Sequence, residues 1–267
     1  MGDPARALAG KRVVVTRAAA QAIDLLKALQ HAGAVPILLP VIQILPPGDF
    51  SQLDNALRKL AEFDWVLFTS QNAVRIVHER LEYLQIALTT SPAVGAVGRA
   101  TAEEAATAGF YVTHISGRPL GAALVEELGS QLESKSVLLP RSDRANPDIV
   151  TALKKHRACV TDVVAYRTIS QDAQSGEVIA KAMSADAVLF FSPSAVNGFD
   201  DVCGAGKLAV FATTGVVLAS GPVTLAALYA KGISSARAAA EPSVARIIEA
   251  LANSFEARER RVSSEAN

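Results

Sequence analysis

The chain has few of the residues that build metal and redox centres. It contains 2 cysteines, Cys159 and Cys203, and 4 histidines among 267 residues. The cysteines lie far apart in sequence, and no two histidines have the spacing of ligands on one helix face. We therefore expect no metal site built from protein side chains and no thiol redox centre.

An excess of charge of either sign is also lacking. Lys plus Arg number 26 and Asp plus Glu number 26, so the formal net charge is zero. Nucleic-acid-binding proteins carry a basic excess or a basic stripe, and this balance argues against that class. A small anionic ligand remains compatible with the composition, because a few arginines and helix N-termini can hold one locally.

Export and membrane signals are weak. The N-terminal stretch MGDPARALAGKRVVVTR has no apolar core of the kind found in signal peptides, so we expect a cytoplasmic protein. The stretch from Leu208 to Ala230 contains no charged residue and is long enough for a membrane helix. Its Gly215, Gly221 and Pro222 favour a buried strand bracketed by turns instead.

Nucleotide and nucleophile motifs are missing as well. The stretch GAVGRA from Gly95 to Ala100 lacks the glycine spacing of a dinucleotide fingerprint, and no phosphate-binding loop with GK[ST] occurs. No serine stands in a nucleophile-elbow context. We therefore expect a protein that works without a cofactor.

What the chain does contain is an internal repeat. Three pairs of segments match in the same order, at offsets of 122, 123 and 124 residues. The pairs are WVLFTSQNAV from Trp65 with AVLFFSPSAV from Ala187, GRATAEEAATAG from Gly98 with GPVTLAALYAKG from Gly221, and VVVTR ending at Arg17 with VLLPR ending at Arg141. We interpret the chain as two copies of one α/β unit.

Each copy alternates short β-branched runs with segments of helical apolar spacing, which predicts parallel sheets flanked by helices. The predicted strands are Arg12–Thr16, Trp65–Thr69, Val94–Val97, Val112–Ser116, Val137–Leu139, Ala187–Phe191, Val216–Ala219 and Ser234–Ala238. Two long extended segments interrupt this rhythm, Val35–Pro47 and Val160–Ser170, and we interpret them as connectors between two domains. Prolines such as Pro36 argue against a central strand in the first connector.

Polar residues recur where the predicted strands end, which is where parallel sheets collect ligands. They are Arg17, Ser70 and Thr101 in the first copy and Arg141, Ser192 and Thr224 in the second. If the two domains face each other, these residues line one cleft that favours anions. The serines and threonines are equally explained as helix caps, with Thr101 and Glu104 fitting a capping box. Tyr166, in the second connector, either covers a sheet edge or donates a proton to a ligand.

The ordered motifs FTSQNAV, VGRATAEEAATAG, VLLPRSD, VVAYRT, FFSPSAVNGF and SGPVTLAAL resemble those of uroporphyrinogen-III synthases over about residues 11 to 252. The resemblance implies two α/β domains with exchanged βα units, joined by a two-stranded connector, and an active cleft between them. It implies residues 1–38 plus 171–255 for domain one and 42–166 for domain two. Residues 256–267 are predicted to form a frayed tail.

The resemblance also implies the reaction, in which the linear tetrapyrrole hydroxymethylbilane cyclises to uroporphyrinogen III. Water is lost, and ring D is inverted through a spiro intermediate. No metal or organic cofactor is implied. The resemblance further implies a monomer that makes transient contact with hydroxymethylbilane synthase. It implies no contact with membranes or nucleic acid.

Roles carried over by motif make Tyr166 the catalytic group that assists loss of the hydroxyl. Substrate contacts fall on Arg17, Ser70, Thr101, Arg141, Ser192, Gly221 and Thr224. Two places depart from the family pattern: Ser220 stands before the turn glycine, and RSDRANPD replaces a glycine-richer loop after Arg141. The second departure puts the anion contact of Arg141 in doubt.

Two functions of other classes stay open at this stage. A two-domain α/β protein can close on a small anion without chemistry, as solute-binding modules do. A regulatory protein can keep the fold after losing activity, because no residue here is indispensable in the way that a triad serine is. The implied enzyme belongs to the hydro-lyases.

Overall fold

The computed structural model describes residues 8–88, 92–171 and 174–265, except for the side chains of 261–265. Strands and helices alternate along most of the chain. The strands are β1 (Arg12–Val15), β2 (Val35–Leu38), β3 (Ile42–Leu45), β4 (Trp65–Phe68), β5 (Ala93–Val97), β6 (Val112–Ser116), β7 (Ser136–Ser142), β8 (Cys159–Ser170), β9 (Ala187–Phe190), β10 (Val216–Ala219) and β11 (Arg237–Ala238). The helices are α1 (Ala19–His31), α2 (Ser51–Arg58), α3 (Gln71–Tyr83), α4 (Arg99–Thr107), α5 (Gly121–Leu128), α6 (Asp148–Lys155), α7 (Gly176–Met183), α8 (Pro193–Cys203), α9 (Lys207–Thr214), α10 (Pro222–Ala230) and α11 (Val244–Glu265).

The chain divides into two compact units, and unit 1 combines Met1–Gln43 with Ile169–Asn267. Its sheet has the order β11-β10-β9-β1-β2, and these strands pair in parallel. One face of the sheet packs on a cluster that contains Phe190, Phe199 and Phe211, whose rings meet edge to face. The other face packs on α1 and α11 through residues such as Leu29 and Leu251.

Unit 2 spans Ile44–Thr168. The six-stranded sheet of this unit has the order β3-β8-β7-β4-β5-β6. Its strands β8, β7, β4, β5 and β6 pair in parallel. One face carries Phe68 and Phe110, whose ring centroids lie 5.2 Å apart. The other face buries Trp65, Leu124 and Leu128. The predicted fold class is confirmed: the chain is an α/β protein with two mostly parallel sheets.

An aspartate marks the same point of the repeat in both units. Asp64 precedes β4 and accepts a hydrogen bond from the backbone N–H of Ser136, at 2.8 Å from Oδ2. Asp186 precedes β9 and accepts one from the N–H of Arg12, at 2.7 Å. Each carboxylate therefore ties the start of its own strand to the start of the neighbouring strand.

The segments interpreted as connectors form strands in the structure. Val35–Pro47 contains β2 and β3, and the second connector becomes the 12-residue strand β8. Pro36 lies in β2, which is an edge strand of its sheet, and a proline is tolerated at such an edge. The predicted strand over Ser234–Ala238 shortens to the two residues of β11.

The C-terminal helix extends into the predicted tail. Residues of the predicted tail continue α11 to Glu265, past the expected limit at residue 255. Phe255 is buried in the core of unit 1, and Lys11 Nζ lies 3.1 Å from Glu259 Oε1 in an exposed ion pair. The uncharged stretch from Leu208 contains α9, β10 and α10, and no described helix is long and apolar enough to cross a membrane.

Candidate functional site

Predicted site residues of unit 2 lie at one edge of its sheet. Ser70 follows β4, Thr101 lies in the first turn of the helix that follows β5, and Arg141 lies near the end of β7. These three strands are neighbours in the order β7-β4-β5 and run in parallel. Their carboxyl ends therefore share an edge, which is the position where open parallel sheets bind ligands.

Tyr166 and Ser70 are joined by a hydrogen bond that the sequence did not reveal. The phenol oxygen lies 2.9 Å from Ser70 Oγ, although the two residues are 96 positions apart. Ser70 also caps α3, because its Oγ accepts the backbone N–H of Ala73 at 3.2 Å. The capping and site interpretations of Ser70 are thus compatible, since one hydroxyl serves both contacts.

The phenol of Tyr166 is buried, with 7% of the residue exposed. Burial raises its pKa above the usual value of 10.0, while hydrogen bonds from the Ser70 and Asn72 side chains act in the opposite direction. The carboxylate of Asp143 adds a smaller raising effect. Tyr166 is therefore protonated at neutral pH and able to donate a proton. Sequence reasoning missed Asn72, whose only signal was its place two residues after Ser70.

Arg141 is held by its own unit. Its Nε and Nη2 donate to the two carboxylate oxygens of Asp162 on β8, and its Nη1 donates to the carbonyls of Ala145 and Asn146. These bonds use four of the five N–H donors of a guanidinium. Only 14% of the side chain is exposed. The loop after Arg141, noted as unusual in the sequence, is thus wrapped around the guanidinium.

The capping-box interpretation of Thr101 is wrong. The N-cap of α4 is Gly98, Thr101 is the third residue of the helix, and it is buried. Gly98 has a φ of 79°, which a side-chain-bearing residue rarely adopts, so the sharp turn from β5 requires glycine. Glu104 does not reach back to a cap but pairs with Arg75 on α3 at 3.3 Å.

In unit 1 the predicted residues also share a carboxyl edge. Arg17, Ser192 and Gly221 follow β1, β9 and β10, which are neighbouring parallel strands. Arg17 Nε donates to Gln21 Oε1 at 3.1 Å, and its guanidinium lies 5.5 Å from the centre of the Phe191 ring.

Ser192 repeats the capping geometry of Ser70. Its Oγ accepts the N–H of Ala195 at 3.2 Å, and Pro193 occupies the first turn of α8, as the sequence suggested. Ser220, the residue unusual for the family, is buried, and its N–H donates to Phe190 O at 2.8 Å. Ser220 thus extends the ladder between β10 and β9.

Gly221 is the N-cap of α10, and the backbone conformation at this position does not require glycine. Its φ of −177° is open to any residue, and a Cβ placed on it would meet nothing within 4 Å. Without a side chain, it leaves the first N–H groups of α10 uncovered. Thr224 is buried as the third residue of α10, just as Thr101 is the third residue of α4. Both glycine-capped helix starts suit a carboxylate.

A cavity of about 680 Å³ in unit 1 holds none of the predicted site residues. It lies beside the start of β10, at the opposite end from Gly221, and three arginines line it. Arg246 pairs with Glu249, while Arg237 and Arg258 donate to backbone carbonyls. The lining of this cavity includes none of the strand-end residues, so the cavity is not part of the candidate site that they define.

Comparisons with known proteins point to one family. Residues 23–249 match the family described as uroporphyrinogen-III synthase HemD. A uroporphyrinogen-III synthase from Synechococcus elongatus is 32% identical over 196 residues, covering 72% of this chain and 74% of that protein. A porphyrin biosynthesis protein HemD from Ruminiclostridium josui is 28% identical over 200 residues, covering 72% of this chain and 39% of that protein.

A solved structure agrees at the level of the fold. A mutant uroporphyrinogen III synthase from the extremely thermophilic bacterium Thermus thermophilus superposes with a TM-score of 0.69 at 18% identity. The superposition covers 92% of this chain and 99% of that chain. The family match extends over most of the chain and includes residues of both units, and it agrees with the resemblance noted in the ordered motifs. The chain belongs to the uroporphyrinogen-III synthase family.

Proposed function

We propose that this chain cyclises hydroxymethylbilane to uroporphyrinogen III, as a hydro-lyase in which Tyr166 is the proton donor. The observation that carries the proposal is the buried phenol of Tyr166, hydrogen-bonded at 2.9 Å to Ser70 at the carboxyl edge of a parallel sheet. Family membership supplies the reaction, and this phenol supplies the acid that the reaction needs.

The first chemical step is loss of the terminal hydroxyl. Tyr166 donates its proton to that hydroxyl as the C–O bond breaks, and water leaves. The electrons of the pyrrole stabilise the resulting cation as an azafulvene. Hydrogen bonds to the phenol oxygen, from Ser70 among others, stabilise the negative charge that Tyr166 acquires.

Ring closure of the linear tetrapyrrole follows the loss of water. The substituted α-carbon of ring D attacks the azafulvene carbon and forms the spiro intermediate, which fragments and recloses with ring D inverted. The proton released when the last ring regains aromaticity restores the phenol of Tyr166. Unassisted closure gives the type I isomer, so holding the substrate in the spiro-forming geometry is the larger part of the task.

The eight carboxylates of the substrate require cationic or N–H-rich partners. Each unit offers such groups at its strand ends: the glycine-capped start of α4 in unit 2, and Arg17 with the glycine-capped start of α10 in unit 1. We assign substrate contacts to these groups, to the neighbouring Thr101 and Thr224, and to the capping hydroxyls of Ser70 and Ser192. Arg141 acts in this proposal through the loop that it holds.

The cellular setting belongs to the same proposal. We expect the protein to act in the cytoplasm as a monomer, without nucleic acid, and to receive its unstable substrate through transient contact with hydroxymethylbilane synthase. Size-exclusion chromatography with light scattering tests the monomer, and loss of type III product when the two enzymes are separated by a dialysis membrane tests the handover.

The test of the activity supplies porphobilinogen and hydroxymethylbilane synthase to the purified chain. Products are oxidised, and the uroporphyrin I and III isomers are separated. We expect isomer III to predominate over the control without this chain. Isomer I alone would exclude the activity and favour one of the alternatives, a binding module or a regulatory protein of the same fold.

A further inference from the structure

The cavity beside the start of β10 lies within unit 1 and is lined by none of the predicted site residues. Its volume of about 680 Å³ falls within the range of small-molecule sites, roughly 300 to 1,000 Å³. The end of α9, the start of β10, the segment around β11 and one face of α11 form its wall. Residues of α11 between Arg246 and Arg258 recur there every three or four positions, so one continuous helix face borders the cavity.

Positive charge is concentrated on this wall. Arg237, Arg246 and Arg258 line the cavity, whereas Glu249 is the one acidic residue among the described lining residues. Charges of the two signs are equal in number over the whole chain, so the cluster does not follow from a basic composition. Guanidinium groups that share one cavity repel one another, and an anion bound among them relieves that repulsion.

Carboxylates balance the charge of Arg246. Its Nη1 donates to Glu249 Oε2 at 2.7 Å. This hydrogen bond and the charge of Glu249, with a smaller contribution from Glu241, raise the pKa of Arg246. Arg246 therefore adds little net charge to the cavity.

Arg237 and Arg258 keep their charge. Arg237 Nη1 donates to the carbonyls of Ser235 and Ala236, at 3.4 and 3.1 Å. Arg258 Nη2 donates to the carbonyl of Thr213 at 3.5 Å. A carbonyl orients a guanidinium without neutralising it, and these bonds use one nitrogen of each group. The other nitrogens of Arg237 and Arg258 take part in no described contact, so two full positive charges with N–H donors remain for a ligand.

We propose that this cavity binds a small organic dianion, either a phosphate monoester or a dicarboxylate. Two unbalanced guanidinium groups require two negative charges, and their forked N–H donors match the oxygens of phosphate and carboxylate groups. The side chains of Ser235 and Asn253 also line the cavity, and no described hydrogen bond uses their polar atoms. Small apolar residues such as Ala238 and Ala250 leave room beside these groups for a carbon skeleton.

This site is separate from the one assigned to the proposed function. It lies at the amino end of β10, whereas Gly221 follows the carboxyl end of that strand. An anion held by both Arg237 and Arg258 bridges the β11 segment and α11. We therefore expect the ligand to stabilise the packing of the C-terminal helix and to raise the melting temperature with increasing ligand concentration.

Isothermal titration calorimetry of the full chain tests the site with two charged probes, glycerol 3-phosphate and glutarate. Each probe has a neutral counterpart, glycerol or glutaramide. We expect a charged probe to bind with a Kd that increases with salt concentration, and the neutral counterparts not to bind. Tighter binding of one charged probe than of the other identifies phosphate or carboxylate as the recognised group.

Three substitutions in the lining test the assignment in opposite directions. Arg237→Met and Arg258→Met keep an unbranched side chain and remove the charge, so each should weaken binding by about tenfold to a hundredfold. Glu249→Gln removes the acidic residue and keeps an acceptor for Arg246, so it should tighten binding by about fivefold. A purely structural role of these residues would not produce changes of opposite sign. If a methionine variant does not fold, Glu249→Gln still tests the site.

Two control variants locate the binding. Arg260→Met, on the same helix, removes an exposed contact with Glu256 at 3.0 Å and should leave the Kd unchanged. Arg17→Ala should also leave it unchanged, because Arg17 belongs to the strand-end residues and not to the lining of the cavity.

Absence of binding by both charged probes at millimolar concentration would overturn the inference. Equal affinity in the methionine variants and the original chain would overturn it as well. Loss of binding in Arg17→Ala would place the probe at the strand-end site instead. The proposed function fails in a different way, by formation of isomer I alone in the coupled assay, and the binding readouts do not depend on that outcome.

Discussion

The βα turns after β4 and β9 show the same sequence element used in two ways. Ser70 and Ser192 cap their helices with the same bond to the third following N–H. Ser70 also contacts Tyr166, whereas the first connector, Val35–Pro47, contains no tyrosine. The first N–H groups of every helix lack partners within the helix, so both copies keep the capping serine. The two caps differ in the strand that lies beside them. Among the described contacts, only the Ser70 cap in unit 2 is hydrogen-bonded to a phenol, that of Tyr166 on β8.

Arginines at equivalent strand ends differ in the same way. Arg141 is fixed by Asp162 and by two loop carbonyls, whereas Arg17 contacts Gln21 and the Phe191 ring. A repeat in the sequence therefore predicts a repeated backbone position. It does not predict a repeated partner, because the neighbouring strands carry different residues: Asp162 lies on β8, whereas the equivalent first connector, Val35–Pro47, contains no aspartate.

The largest expected effect tests the phenol that distinguishes the units. Tyr166→Phe removes the proposed proton donor and keeps the ring, so kcat should fall by about a hundredfold or more with KM little changed. Kinetics with hydroxymethylbilane generated in the assay measure both constants. Full turnover would remove Tyr166 from the mechanism.

The second-largest expected effect concerns Gly198 on α8, a position at which the equivalent helix α3 has a larger residue. Gly198 occupies the place of Ile76, and a Cβ on Gly198 would lie 2.7 Å from the Val41 carbonyl oxygen. We expect Gly198→Ala to destabilise the chain by about 2 kcal/mol, because overpacking against backbone outweighs the gain in helix propensity. Urea unfolding measures the loss. Gly176→Ala on α7, where a Cβ meets nothing within 4 Å, is the matched control and should be neutral or stabilising.

Substitution of the two arginines separates ligand binding from stability. Arg17→Ala should raise KM about tenfold and reduce its dependence on salt. Arg141→Ala should leave Asp162 without its partner and lower the free energy of unfolding by about 1 to 2 kcal/mol, a value reduced because Asp162 is 36% exposed. Equal KM increases in both variants, with equal stability, would restore the symmetry suggested by the sequence.

The smallest expected effect concerns acid stability at the aspartate that starts β4. Hydrogen bonds from Ser136 and Lys135 lower the pKa of Asp64 from 3.8 to about 2. A lowered pKa contributes stability that is present above the unfolded value and lost as the pH falls from about 4 to about 2. Asp64→Asn should flatten this part of a thermal-unfolding series against pH. Curves of the same slope for both proteins would contradict the assignment.

Local pattern was sufficient for much of the fold. The strands Val112–Ser116 and Val216–Ala219 have the predicted bounds, because short β-branched runs between turns specify a strand almost alone. The strand around Ser234 was overestimated, since only two residues pair with β10. The capping alternative for Thr101 rested on the local pattern Thr-x-x-Glu, whereas the actual helix start is set by the backbone of Gly98.

Long-range contacts set the limit at the candidate site. The positions of Arg17, Ser70 and Ser192 at strand ends could be predicted. In each sheet, parallel topology alone brings the carboxyl ends of neighbouring strands to the same edge. The bond between Ser70 and Tyr166 joins residues 96 positions apart, and the pair of Arg141 and Asp162 depends on the alignment of β7 with β8. Neither leaves a periodic signal in the sequence.

Pro36 in β2 has a consequence for the behaviour of the protein at high concentration. Val35 and Leu39 direct their N–H groups to β1, so the nitrogen of Pro36, which lies between them in the alternation, faces the outer edge of the sheet. A strand from another molecule that approached this edge would find a ring where it needs a hydrogen-bond donor. The proline thus costs the sheet no internal bond and discourages edge-to-edge growth into insoluble assemblies.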